Sequence, residues 1–145
     1  MIRAFAAADA DAALTLYRHL VGDQPVADHA AFARLLAHPG TSVLGDWVGD
    51  AARAMATLHI LPNMTQSGRP YALIENVVTH AEHRGAGHGR QVMEAAVDAA
   101  WAADCYKIML LTGQTARARE FYEALGFSAD EKWGMTLRRA PLRSS

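Results

Sequence analysis

Between Glu75 and Asp98 the chain carries its densest set of groups able to do chemistry: four acids, three histidines, two arginines and three glycines around a strand-to-helix junction. The order is Glu75-Asn76-Val77-Val78-Thr79, a polar connection, then Arg84-Gly85-Ala86-Gly87-His88-Gly89-Arg90 and an alanine-rich amphipathic run. A helix beginning among glycines offers backbone N–H groups that have no partner in its first turn, and its dipole adds partial positive charge there. Glycines 85, 87 and 89 let a bulky anion approach those amides, and Arg84 and Arg90 add formal charge. This is the chemistry of a pyrophosphate site.

Spacing narrows the choice. A dinucleotide fingerprint requires glycine at the sixth position from Gly85, where Arg90 stands; a triphosphate loop requires Lys then Ser or Thr, where Arg90-Gln91 stands. The three histidines of the junction, His80, His83 and His88, lack a carboxylate-histidine helix motif, and a turn is expected to send them in divergent directions, so no metal is expected. His59 reads as a tucked or edge histidine on a strand. Trp47, Trp101 and Trp133 read as core or interface packing. Cys105 is the single cysteine, which excludes an intrachain disulfide and a thiolate zinc site and fits a reducing, cytoplasmic setting.

The elements that must position these groups follow from periodicity. The spacing predicts helices over 9–20 and 28–37, a third over 87–103 with Met93, Ala96, Val97, Ala100 and Trp101 inward, and a fourth over 115–125 stopped by Gly126. Strands are expected over 41–48 and 53–61, joined at Gly49-Asp50, and over 71–79 and 106–111, both buried. Short closing strands are expected at 127–128 and 132–138, followed by a tail over 140–145. Residues 62–70 form a loop long enough to reach over a site. Strand, helix and strand across the glycine cluster make a right-handed βαβ unit.

At 145 residues, with 51% hydrophobic and a formal net charge of −1, the chain reads as one domain with a substantial core. That balance gives no nucleic-acid surface. Neither a leader-like apolar core at residues 1–5 nor a membrane-length run is seen, so no membrane partner is expected.

Arg84-x-x-Gly87-x-Gly89 after a Val-Val-Thr strand resembles the acetyl-CoA pyrophosphate loop of the GNAT superfamily of N-acetyltransferases. Phe121-Tyr122-Glu123-Ala124-Leu125-Gly126-Phe127 resembles its closing helix-to-strand signature. The resemblance implies an α/β (α+β) GNAT fold over residues 1–145, with a central mixed, mostly antiparallel sheet of six to seven strands flanked by four helices. It implies acetyl-CoA as co-substrate, held by Val77, Val78, Thr79, the run Arg84, Gly85, Ala86, Gly87, His88, Gly89 and Arg90, and by Thr115 and Tyr122. Glu75-Asn76-Val77-Val78 and Met135-Thr136-Leu137-Arg138 look most like the glucosamine-6-phosphate N-acetyltransferase branch, which would give Glu75, Asn76 and Arg138 to the acceptor. Asn76 stands where that branch has aspartate, and sugar phosphate is one candidate acceptor among several.

The expected reaction is direct attack of a small-molecule primary amine on the thioester. An alkylammonium near pKa ~10 must lose a proton, and Glu75, directly or through water, suits that task. Tyr122 would meet the departing thiolate, and a backbone N–H near Val77 or Val78 the carbonyl oxygen. The alternatives are acetylation of a protein lysine or N-terminus, and a non-catalytic acyl-CoA-binding module, against which the presence of both Glu75 and Tyr122 argues. Related proteins pair through C-terminal strands, so a homodimer is compatible with the resemblance.

Overall fold

In a computed structural model, residues 1–141 are described, and they divide into two compact units, one spanning Met1–Leu110 and the other from Leu111 onward. The first unit holds a five-stranded sheet in the order β1 (Ile2–Ala4), β2 (Thr41–Val48), β3 (Ala51–Leu61), β4 (Tyr71–Thr79), β5 (Ile108–Met109). Neighbours are antiparallel except β4 and β5, which run parallel across the crossover helix α3 (His88–Ala102). The βαβ unit expected around the glycine cluster is therefore present.

Strand periodicity sorts the sheet's two faces. Met55 of β3 joins Leu16 of α1 (Ala10–Val21), Phe32 of α2 (His29–Ala37), Phe5, Val43, Trp47 and Val78 in one apolar cluster. The alternate residues Ala54, Ala56 and Leu58 are equally buried on the other face, where the two small alanines let α3 approach with Val92, Met93, Ala96 and Ala100. Covered on both faces, β3 and β4 need no polar alternation, which is why β4 reads as a near-continuous apolar run.

Two irregularities interrupt the ladders. Between β2 and β3 the register shifts after Asp46, leaving Arg53 as an extra residue. Between β3 and β4, Met55 pairs with Val78 and Thr57 with Glu75, so Asn76 and Val77 together face the single residue Ala56. This is a β-bulge on β4, and Asn76 carries it in the left-handed region at φ 52°.

The second unit contains α4 (Ala116–Glu123) and the chain after it. Thr115 caps α4, its hydroxyl accepting from the Ala118 N–H at 3.2 Å. Gly126 ends the turn with φ 97°, its N–H donating to the Glu123 carbonyl.

Several expectations are corrected. Five strands form among the described residues rather than six or seven: the segments 127–128 and 132–138 are not strands, and Arg138 is accordingly not a strand residue. Among the described residues, 132–138 pair with no strand, and Trp133, Met135 and Leu137 are at least 92% exposed. The short β1 was not expected, because three residues carry too little periodicity. β5 is two residues rather than six and is half-exposed rather than buried, as befits the sheet's edge. Trp101 is 51% exposed, with Val92 taking its place inside. Asp9 does not cap α1; its carboxylate accepts from the Ala6 N–H at 2.7 Å and pairs with Arg3 at 2.9 Å. Of the tail expected over 140–145, residues 142–145 lie outside the described residues.

Candidate active site

The loop from Thr79 to α3 is held by its own turn chemistry. The 3-10 turn Ala81–His83 follows β4, and the His80 ring nitrogen Nδ1 accepts from the Glu82 N–H at 3.2 Å. Gly85 and Gly87 then adopt φ 81° and 88°, a region closed to most side chains, and Gly87 occupies the N-cap of α3. A Cβ placed at either glycine would meet open space within 4 Å, so these glycines serve the backbone's conformation and leave the ground before it clear.

The main-chain N–H groups from Arg84 to Arg90 donate to no protein acceptor among the described residues, the first helical bond being Gln91 N–H to Gly87 C=O at 3.0 Å. His88 and Gly89 are half-buried and the other residues of this run are exposed, so the amides are open to water or to an anion. Loop and helix end therefore meet the physical requirement for a phosphate cradle: free donors, an unfilled approach and a helix dipole. Arg84 makes no ion pair among the described residues, whereas Arg90 is engaged by Glu94 at 2.8 Å in an exposed pair one turn apart.

His88, the first residue of α3, sets the loop against the sheet. Its Nδ1–H donates to Asp46 Oδ2 at 2.7 Å, while Asp46 Oδ1 accepts from the Met1 ammonium at 2.9 Å. Asp46 is 3% exposed. Burial alone pushes its carboxyl up, but the His88 hydrogen bond and the ammonium outweigh that, and the net pKa lies below the ordinary carboxylate value. Sequence reasoning missed Asp46, whose only signal was an acid inside an otherwise apolar strand.

The other histidines gather instead of diverging. Ligand atoms of His80, Glu82 and His83 lie within 4.8 Å of one another, and the His19 ring of α1 sits 4.1 Å from that of His80. The cause is the tight 3-10 turn, which eclipses side chains three apart. Burial, then the charges of Arg53 and His80, lower the His83 pKa, keeping that imidazole neutral at pH 7. His59 is tucked, bonded to the Thr41 hydroxyl at 2.8 Å.

Glu75 and Thr57 are cross-strand partners and so share a face of the sheet. That face is α1's, where the Tyr17 hydroxyl and Thr57 Oγ1 are both buried without a hydrogen-bond partner. Burial raises the Tyr17 pKa; Thr57 is near enough to temper the rise without meeting the geometry of a hydrogen bond. A cavity of about 220 Å³ opens here between α1, α2 and β4. Its walls are Leu14, Phe32 and Leu35 with the chain at Val26 and Ala27, and its polar groups are Tyr17, Asp28 and Asn76. The loop 62–70, expected to reach over a site, contributes nothing to this lining.

In the second unit, Tyr122 is half-buried beside Phe121 and Phe127, with ring centroids 5.0 and 6.1 Å away. Burial raises its phenol pKa, so it stays protonated at neutral pH. Thr115 serves as the α4 cap, and Arg138 is exposed. Cys105 is buried with its thiol pKa raised by burial and by Asp104, which suppresses thiolate chemistry.

The class of protein that this α/β unit, with its bulged central strand and glycine-rich helix start, belongs to is named by comparison with known proteins. Residues 9–127 match the family described as "Acetyltransferase (GNAT) family", and the chain belongs to it. The chain is similar to a putative acetyltransferase from Agrobacterium tumefaciens str. C58, with 41% identity over 96% of this chain and 99% of that one, at a TM-score of 0.90. It is similar to an acetyltransferase of Trypanosoma brucei, with 30% identity over 95% and 98% of the two chains and a TM-score of 0.79. It is also 36% identical, over 53% of its own length, to the glucosamine 6-phosphate N-acetyltransferase of Trypanosoma brucei brucei; the match spans about half, 51%, of that relative. No helix among the described residues is long and apolar enough to cross a membrane.

Proposed function

We propose that the protein transfers the acetyl group of acetyl-CoA to the primary amine of a small molecule, acting as one acetyltransferase domain, since the family match runs through the boundary at Leu110. The observation that carries this reading is the row of uncommitted amides from Arg84 to Arg90 at the start of α3. They suit the diphosphate of acetyl-CoA, with Arg84 as the free cation, and Val77, Val78 and Thr79 lead the pantetheine arm along β4. Thr115 serves the arm as the family resemblance suggests.

In the reaction the amine nitrogen, neutral at attack, forms the bond to the thioester carbonyl carbon while the carbon–sulfur bond breaks. One proton leaves the nitrogen and one reaches the thiolate, so the products are the amide and the free thiol. Glu75, directly or through a water, accepts the first proton. The bulge at Asn76 and Val77 is the kind of ladder interruption that turns a backbone N–H towards a carbonyl oxygen. Tyr122 takes the role the family resemblance suggests, hydrogen-bonding the departing sulfur. Its raised pKa supports donation of a hydrogen bond rather than full proton transfer, since a thiol near ~8.5 is already the stronger acid.

The cavity of about 220 Å³ beside Asn76 is of a size that suits a small acceptor more than a protein lysine or N-terminus. The exposed alternation of Trp133, Met135 and Leu137 supports a homodimer in which this segment finds its pairing edge on a second copy. The test is calorimetry with acetyl-CoA on the protein and on Gly87→Val, whose β-branched side chain is strained at φ 88°. Binding by the protein, weakened about tenfold or more in the variant, is expected. No binding at millimolar acetyl-CoA would end the proposal.

A further inference from the structure

Resting on that reading of the site, we infer that the acceptor is a small apolar amine of the arylalkyl or alkyl class, and not a phosphorylated sugar. The cavity between α1, α2 and β4 borders the reaction centre: Asn76 lines it and is adjacent to Glu75, and Thr57, the cross-strand partner of Glu75, stands next to the Tyr17 hydroxyl in its wall. An amine seated there has its nitrogen at the Asn76 end and its body among Leu14, Val26, Ala31, Phe32 and Leu35.

Charge selects the class. Among the described residues that line the cavity there is no Lys, Arg or His, and the one charged group is Asp28. Its Oδ1 accepts from the Ala31 N–H at 3.0 Å to cap α2, which leaves the carboxylate's other oxygen for an arriving ammonium. A phosphate dianion would face a carboxylate and a largely apolar wall, with no cation in the lining to replace the hydration it loses there. A sugar ring would fare little better, since its hydroxyls would face one phenol and one amide. Volume points the same way: about 220 Å³ is below the ~300–1,000 Å³ of drug-sized ligand sites and suits a body of one ring or a short alkyl chain. The buried Tyr17 hydroxyl, unpartnered within the protein, supplies a hydrogen-bond donor or acceptor for the amino end or for a water beside it.

The experiment compares 2-phenylethylamine with glucosamine 6-phosphate, by release of free CoA from acetyl-CoA and by calorimetry on the CoA-loaded protein. The expected result is a kcat/KM for 2-phenylethylamine at least about tenfold higher, the discrimination that a few apolar contacts provide. Ala31→Trp, which fills the cavity, should raise its KM by a similar factor, with acetyl-CoA affinity reporting that the fold survives. Val26→Arg, which adds a cation to the wall, should shift the ratio towards glucosamine 6-phosphate. Preference for glucosamine 6-phosphate, or a 2-phenylethylamine response indifferent to both substitutions, would overturn this inference while leaving acetyl transfer standing. Binding of 2-phenylethylamine that depends on Ala31 and Val26, without release of CoA from any amine, would instead sink the transfer reading and leave the pocket's chemistry intact.

Discussion

β4 and residues 132–138 are both expected from the sequence as strands, yet their surroundings differ. In β4, Ile74 is 1% exposed, Ala72 is wholly buried, and hydrogen-bonded neighbours flank the strand on both sides. In residues 132–138, Trp133, Met135 and Leu137 alternate with Gly134, Thr136 and Arg138 at the two-residue period of a strand, and all six are exposed. The contrast teaches that β-propensity describes a surface waiting to be paired, and the ladder exists only where a second edge arrives. It also separates two jobs: β4 ends in the bulge and loop that hold the candidate site, which demands a rigid support, while 132–138 offers apolar surface without such support.

The sharpest way to break this comparison is Ile74→Ala. Removing a fully buried side chain from β4 should cost ~2–5 kcal/mol in urea unfolding. A loss under about 1 kcal/mol would mean that β4 is not the packed spine described above.

Asp46→Asn tests how that spine is joined to α3. The folded pKa of Asp46 is depressed, so its contribution is fully present above the unfolded value near ~3.9 and is lost as pH falls through the folded value. At neutral pH the variant should be less stable by ~1–3 kcal/mol, the worth of hydrogen bonds to a charged group. Its stability should also fall less steeply below about pH 5. An unchanged acid limb in denaturation curves would remove Asp46 from the account.

The smallest effect is expected for Trp133→Ala. In dilute protein an exposed side chain contributes within about 0.5 kcal/mol. If a second copy covers residues 132–138, the cost must grow with protein concentration, and sedimentation should show the wild-type dimer weakened in the variant. A cost above 2 kcal/mol that is independent of concentration would show that Trp133 packs within its own chain.

Legibility in the sequence followed the range of the forces involved. The start of α2 at Asp28, the turn at Gly49, the helix start at Gly87 and the stop at Gly126 were all readable, because each depends on the conformation of one or two residues and their nearest hydrogen bonds. The left-handed glycines of the loop before α3 were readable for the same reason. Asp46 was not, since its role needs a helix from 42 residues further along the chain to deliver His88 to it. Nor was the bulge at Asn76, which is a property of the register between two strands and of neither strand alone.

By itself, the sequence determined four helices, the β-hairpin and the crossover around the glycine cluster, because helix and turn preferences are local. Only the tertiary structure decided that His80, Glu82 and His83 converge, that the wall beside Asn76 is apolar and without a cation, and that residues 132–138 stay unpaired. Each depends on which surfaces meet in space, and burial and strand pairing between distant segments are not encoded at any single position.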